Sequence, residues 1–169
     1  MVGSLVLGLG VWLALGVTSD PSLESGKLLG KTAPAFSGTT LDGKAVSSTD
    51  LAGKSVLVNF WNDWCIPCRQ ELPALKEFYR RHKGEADFAM VGIVRDARSD
   101  RAIDEYAQSE NIDWTVMRDP GDRAALDFAT TGQPETFTID PRGVVVGFQS
   151  GPSTVDGLEQ MLQRARGLG

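Results

Sequence analysis

The apolar run Val56-Leu57-Val58-Asn59-Phe60-Trp61 leads within a few residues into Trp64-Cys65-Ile66-Pro67-Cys68, where a helix-forming stretch begins. A strand this continuously apolar suits the centre of a sheet covered on both faces. The two cysteines are the only ones among 169 residues, and both fall at this strand-to-helix junction. Thiols at i and i+3 of a helix start can be bridged by one short disulfide. The first also faces the unpaired N–H groups of the opening turn, which stabilise a thiolate. A nucleophilic cysteine with a resolving partner one turn on has the chemistry of thiol–disulfide exchange.

Other uses of a CxxC pair fit less well. A zinc site needs about four ligands, and beyond the two cysteines the chain offers one histidine, His82, far along the next helix; no metal is expected. A structural staple is a poor use of so small a loop, because the entropic gain grows with loop length. A peroxidatic cysteine usually follows a threonine by three residues, and here that place holds Asn62. Copper delivery would need a wider cysteine spacing and a distal histidine.

A hydrophobic share of 41% supports one globular domain with a proper core. The net charge of −5 argues against a nucleic-acid partner. Arg80-Arg81-His82-Lys83 reads as a helix C-terminus, where cations complement the dipole. Residues 1–19 carry no charged side chain, and Leu5 to Val17 is almost wholly apolar. That pattern is expected to be an export signal or a membrane anchor, with a buried N-terminal element as the alternative. Ala14-Leu15-Gly16 is a weak cleavage site, so an anchor is favoured over a cleaved signal; either is expected to place the domain outside the cytoplasm, tethered to the membrane or, if cleaved, secreted. Residues 20–31 form a polar tether, and the main domain is expected over 32–167.

Along that domain the patterning predicts a hairpin from Pro34 to Ser48 turning at Leu41-Asp42-Gly43-Lys44, then a central strand from Lys54 to Trp61. A helix follows from Ile66 to Lys83, kinked at Pro73, and a second buried strand from Asp87 to Val94. Ser99 and Asp100 cap a helix through Asn111; a short strand from Trp114 to Met117 and a brief helix from Gly121 to Thr130 come next. Strands from Glu135 to Asp140 and Val144 to Gln149 pair across Pro141-Arg142-Gly143. An amphipathic helix from Thr154 to Arg166 closes the chain.

This order, opened by CxxC, resembles the thioredoxin superfamily and, within it, the membrane-tethered TlpA/ResA/DsbE (CcmG) type. The resemblance rests on Ala33-Pro34-Ala35-Phe36 with Leu41-Asp42-Gly43-Lys44, and on Asn59-Phe60-Trp61 before Trp64-Cys65-x-Pro67-Cys68-Arg69-x-Glu71-Leu72-Pro73. Gly132-Gln133-Pro134-Glu135-Thr136-Phe137 completes the set. It implies an α/β thioredoxin-like fold, a central mixed sheet flanked by helices, with an N-terminal hairpin and an extra helix–strand insertion. It also implies disulfide exchange with protein substrates without an external cofactor. The reductive branch would act on apocytochrome c and draw electrons from a DsbD/CcdA-like membrane thiol transporter. Oxidase or isomerase action on exported proteins is the alternative, and a non-catalytic peptide-binding module a further one.

Within that frame Cys65 is expected to attack, being nearest the helix N-terminus and the more exposed of the pair, and Cys68 to resolve the mixed disulfide. Pro67 has no N–H to lose at the helix start, and the resemblance makes Trp64 a flat wall beside the sulfurs. Glu71 shares the core-facing side with Cys68, Leu72, Leu75 and Phe78, so its carboxyl should be desolvated, raised in pKa, and able to carry a proton for Cys68. A capping or surface-paired glutamate is the plainer alternative. Asn59 stands where cytoplasmic thioredoxins keep a buried acid, which shifts that duty toward Glu71. Pro134 is expected in cis, leaving the Gln133 backbone to pair with an extended peptide. Glu135 is expected at the rim, Trp61 and Trp114 in the core or at its edge, and Arg95 with Asp96 in a solvated loop.

Overall fold

The structure, a computed structural model, describes residues 26–95, 97 and 99–167. The apolar segment 1–19, the first half of the expected tether and Asp96 lie outside the described residues. In chain order the elements are β1 (Ser37–Thr40), β2 (Ala45–Ser47), a 3-10 turn (Ser48–Leu51), β3 (Ser55–Trp61), α1 (Ile66–His82), β4 (Phe88–Val94), α2 (Asp100–Ser109), β5 (Thr115–Arg118), α3 (Arg123–Asp127), β6 (Glu135–Ile139), β7 (Val145–Ser150) and α4 (Val155–Ala165). They form one seven-stranded mixed sheet in the order β2-β1-β5-β4-β3-β6-β7. β3 and β5 each run parallel to β4; the other neighbours are antiparallel. This is the expected thioredoxin-like architecture, with the hairpin β1–β2 and the inserted α2–β5 unit extending one side of the sheet.

β3 is buried along its whole length because both of its faces are covered. Its side chains alternate between two cores. Leu57 and Trp61 join Cys65, Cys68, Leu72, Leu75 and Phe78 of the CxxC helix region, with Leu158 and Leu162 of α4. Val56, Val58 and Phe60 face the other way, onto Phe36, Phe128 and Phe137. There the Phe60 ring lies 5.3 Å from Phe128 and 5.9 Å from Phe137. Asn59 shares the face of Leu57 and Trp61, so a polar residue is carried into the core directly beneath α1.

Helix ends fall close to where the caps placed them: Ser99 accepts from Ala102 N ahead of α2, and Thr154 from Gly157 N ahead of α4. Pro73 sits inside α1 without ending it. The part of the expected tether that is described, from Gly26 on, is bound to the sheet rather than free. Gly30 N donates to Val145 O, and Val145 N to Lys31 O. Among the described residues no helix is long and apolar enough to cross a membrane.

Candidate active site

α1 begins where β3 leaves the middle of the sheet, and Cys65 is its N-cap. Cys65 and Cys68 are joined by a disulfide with Cα atoms 5.2 Å apart. Cys65 Sγ accepts from Cys68 N at 3.2 Å, so the sulfur occupies the place of a capping oxygen at the positive end of the helix. Exposure does not separate the two sulfurs as expected: Cys65 is 4% exposed and Cys68 5%. What separates them is position, Cys65 at the cap and Cys68 one turn in. Ile66 between them is exposed, and Trp64 and Pro67 are half-buried at the same edge.

The second wall of the site is the loop ahead of β6. The Gln133–Pro134 bond is cis, the isomer expected from the sequence. Cys65 Sγ lies 3.7 Å from the Gln133 carbonyl oxygen, which brings Cys65 and Pro134, 69 positions apart in sequence, to one edge. Two residues hold this loop in ways the sequence did not show. Glu135 does not stand at the rim: it is 1% exposed and its Oε1 accepts from Thr131 N, Thr131 Oγ1 and Gly132 N. Arg95 is not loosely solvated either. Its Nη1 donates to Gly132 O at 2.9 Å, while its backbone oxygen accepts from Asn62 Nδ2 and its N donates to Trp61 O. The turn before the cysteines and the loop opposite them are therefore tied through one residue.

Beneath Cys68 lies Glu71, 1% exposed. Its carboxyl accepts from Asn59 Nδ2 at 2.9 Å and from Ser153 N at 2.9 Å. Burial pushes its pKa up from 4.5 to about 7; the Ser153 and Asn59 hydrogen bonds pull it only part of the way back. The helical row that joined Glu71 to the core side thus gives a carboxyl poised to gain or lose a proton near neutrality. A surface-paired glutamate is ruled out by this burial. Asn59 also donates to Thr136 Oγ1 at 3.0 Å, which anchors Glu71 to both β3 and β6. Among the described residues no group of three or more His, Cys, Asp and Glu is arranged to hold a metal ion.

Residues 29–148 match the AhpC/TSA family, well over half of the chain. The chain belongs to the AhpC/TSA family. Within this family it is similar to the thiol-disulfide oxidoreductase ResA of Bacillus cereus, 32% identical over 143 residues that cover 85% of this chain and 82% of ResA. It is similar as well to the thiol:disulfide interchange protein DsbE of Pseudomonas fluorescens, 34% identical over 84% of this chain and 78% of DsbE. Among solved structures, a thiol:disulfide interchange protein of the thioredoxin family from Chlorobium tepidum superposes with a TM-score of 0.70 at 35% identity, covering 82% of this chain and 96% of its own. With a cysteine pair capping α1 and relatives of this kind, this family member is a thiol–disulfide oxidoreductase of the ResA/DsbE type.

Proposed function

We propose that the chain reduces disulfides of protein substrates outside the cytoplasm, with apocytochrome c as the client class and a DsbD/CcdA-like membrane thiol transporter as its electron source. The apolar segment 1–19 would deliver the domain to the cell envelope and hold it there as an anchor. In the reduced protein the Cys65 thiolate attacks one sulfur of the client disulfide, and the other client sulfur leaves as a thiolate. Cys68 passes its proton to Glu71 and attacks Cys65 Sγ, which releases the second client thiolate and closes the Cys65–Cys68 disulfide. Trp64, Pro67, Gln133 and Pro134 form the groove edge on which the client backbone lies.

The observation that carries the disulfide-exchange part of this reading is Glu71, a fully buried carboxyl one turn below Cys68 with a pKa raised to about 7. A proton acceptor there serves the resolving cysteine and has no use in a peptide-binding module. The direction of electron flow is tested by equilibrating the whole chain against glutathione buffers. A potential well below about −230 mV supports the reductant, and one between about −120 and −180 mV replaces it with an oxidase or isomerase. Reduction of a CxxCH peptide disulfide by the wild type, and its loss in Cys65→Ser, completes the test.

A further inference from the structure

Gly92 of β4 pairs in register with Asn59 of β3, so a side chain at 92 would point to the Asn59 face. A Cβ there would stand 2.7 Å from Trp61 Nε1 and 3.1 Å from Trp114 Nε1. The missing side chain therefore makes room for two indole N–H edges that converge beside Asn59. Trp61 Nε1, Trp114 Nε1 and Asn59 Oδ1 are all buried, and none has a hydrogen-bond partner among the described residues. Left dry, each such buried orphan destabilises the fold by the desolvation it suffers without a partner. Asn59, Trp61 and Trp114, with Cys68 and Glu71 among others, line a small cavity of about 10 Å³, roughly the room one water requires.

We propose that Trp61 and Trp114 hold one buried water whose remaining hydrogen is aimed at the Cys68–Glu71 pair. This rests on the reading that Glu71 takes the Cys68 proton, and adds how the resulting charge is solvated. The two indole N–H groups occupy both lone pairs of the water, so it can act only as a donor. One O–H goes to Asn59 Oδ1, which satisfies the third orphan. The other goes to whichever anion the cavity holds, the Glu71 carboxylate or the Cys68 thiolate. The water so held favours the Cys68 thiolate that must attack the mixed disulfide. Trp61 and Trp114 are thus positioning residues, acting on Cys68 through the water.

Two measurements on the full chain test this. In the wild type, the indole Hε1 protons of Trp61 and Trp114 should both show cross-relaxation to a long-lived water. In Trp114→Phe, and in Trp61→Phe, the apparent pKa for resolution of a mixed disulfide should rise by about one unit, slowing resolution about tenfold below that pKa, while the melting temperature stays close to that of the wild type. Absence of the water signal at either indole, or a Trp114→Phe profile that overlays the wild type, would overturn the inference. Glu71→Gln separates the two claims. If it changes the profile and the tryptophan variants do not, the water fails alone; if Glu71→Gln itself changes nothing, the proton-acceptor reading fails.

Discussion

The Asn59 amide donates to the Glu71 carboxyl at 2.9 Å in a place where both residues are 1% exposed. A neutral donor of this kind orients the carboxyl without fixing its charge, whereas a cation would hold it ionised. Glu71 is therefore buried, anchored and still free to titrate near pH 7.

Burial of Glu71 makes stability depend on pH in a direction opposite to that of a salt-bridged acid. Its folded pKa of about 7 lies above its ordinary 4.5, so between those values the folded state holds the extra proton. Its contribution is full below about pH 4.5, falls as pH rises, and is lost above pH 7, a difference of about 3 kcal/mol. Glu71→Gln should flatten this slope and be more stable than the wild type at pH 8. Chemical denaturation of the oxidised protein at pH 5 and pH 8 measures it; equal slopes in both proteins would contradict it.

Asn59→Asp should couple two carboxyls where one now titrates. Like charges at hydrogen-bond distance cannot both ionise readily, so the later of the two macroscopic steps should move above about 7 by at least roughly one unit. Carboxyl-carbon NMR titration of the variant reads both steps. A single step left near 7 would show that position 59 does not govern Glu71.

His82 ends α1 in a setting unlike its cationic neighbours. Its ring lies 4.7 Å from Phe78 and 5.7 Å from Phe88, and its two nitrogens meet Glu85 and Glu159 at 3.1 and 2.9 Å. His82→Ala should cost about 2–4 kcal/mol by leaving a cavity and removing a shared partner of Glu85 and Glu159, which keep only Arg166 and Arg81. Disulfide exchange should remain, since His82 lies at the far end of α1 from the cysteines. A melting temperature within a degree of the wild type would refute this.

The parts of this protein that were legible in its sequence are those where local pattern and tertiary need coincide. The unbroken apolar β3, the cap at Cys65 and the row Cys68–Glu71–Leu72–Leu75 each follow from a single element's period, and each holds in the structure. His82 was missed because three cations surround it in sequence, while the residues that bury it come from Phe88 and from Glu159 of α4. Glu135 was misplaced because strand alternation says nothing of the Thr131 and Gly132 N–H groups that turn back onto it. Arg95 follows a strand end, where sequence suggests solvent, yet it binds a loop 37 residues onward. No local signal marks such long-range closures.

The measurement that bears most directly on the account is the pH dependence of mixed-disulfide resolution at Cys65, by rapid mixing of the reduced chain with a disulfide peptide, in wild type and Glu71→Gln. The wild type should show an inflection near pH 7, where Glu71 gains the capacity to accept the Cys68 proton. In Glu71→Gln that inflection should vanish and the rate at pH 7.5 fall roughly a hundredfold. Overlapping profiles for the two proteins would remove Glu71 from the chemistry and contradict the account.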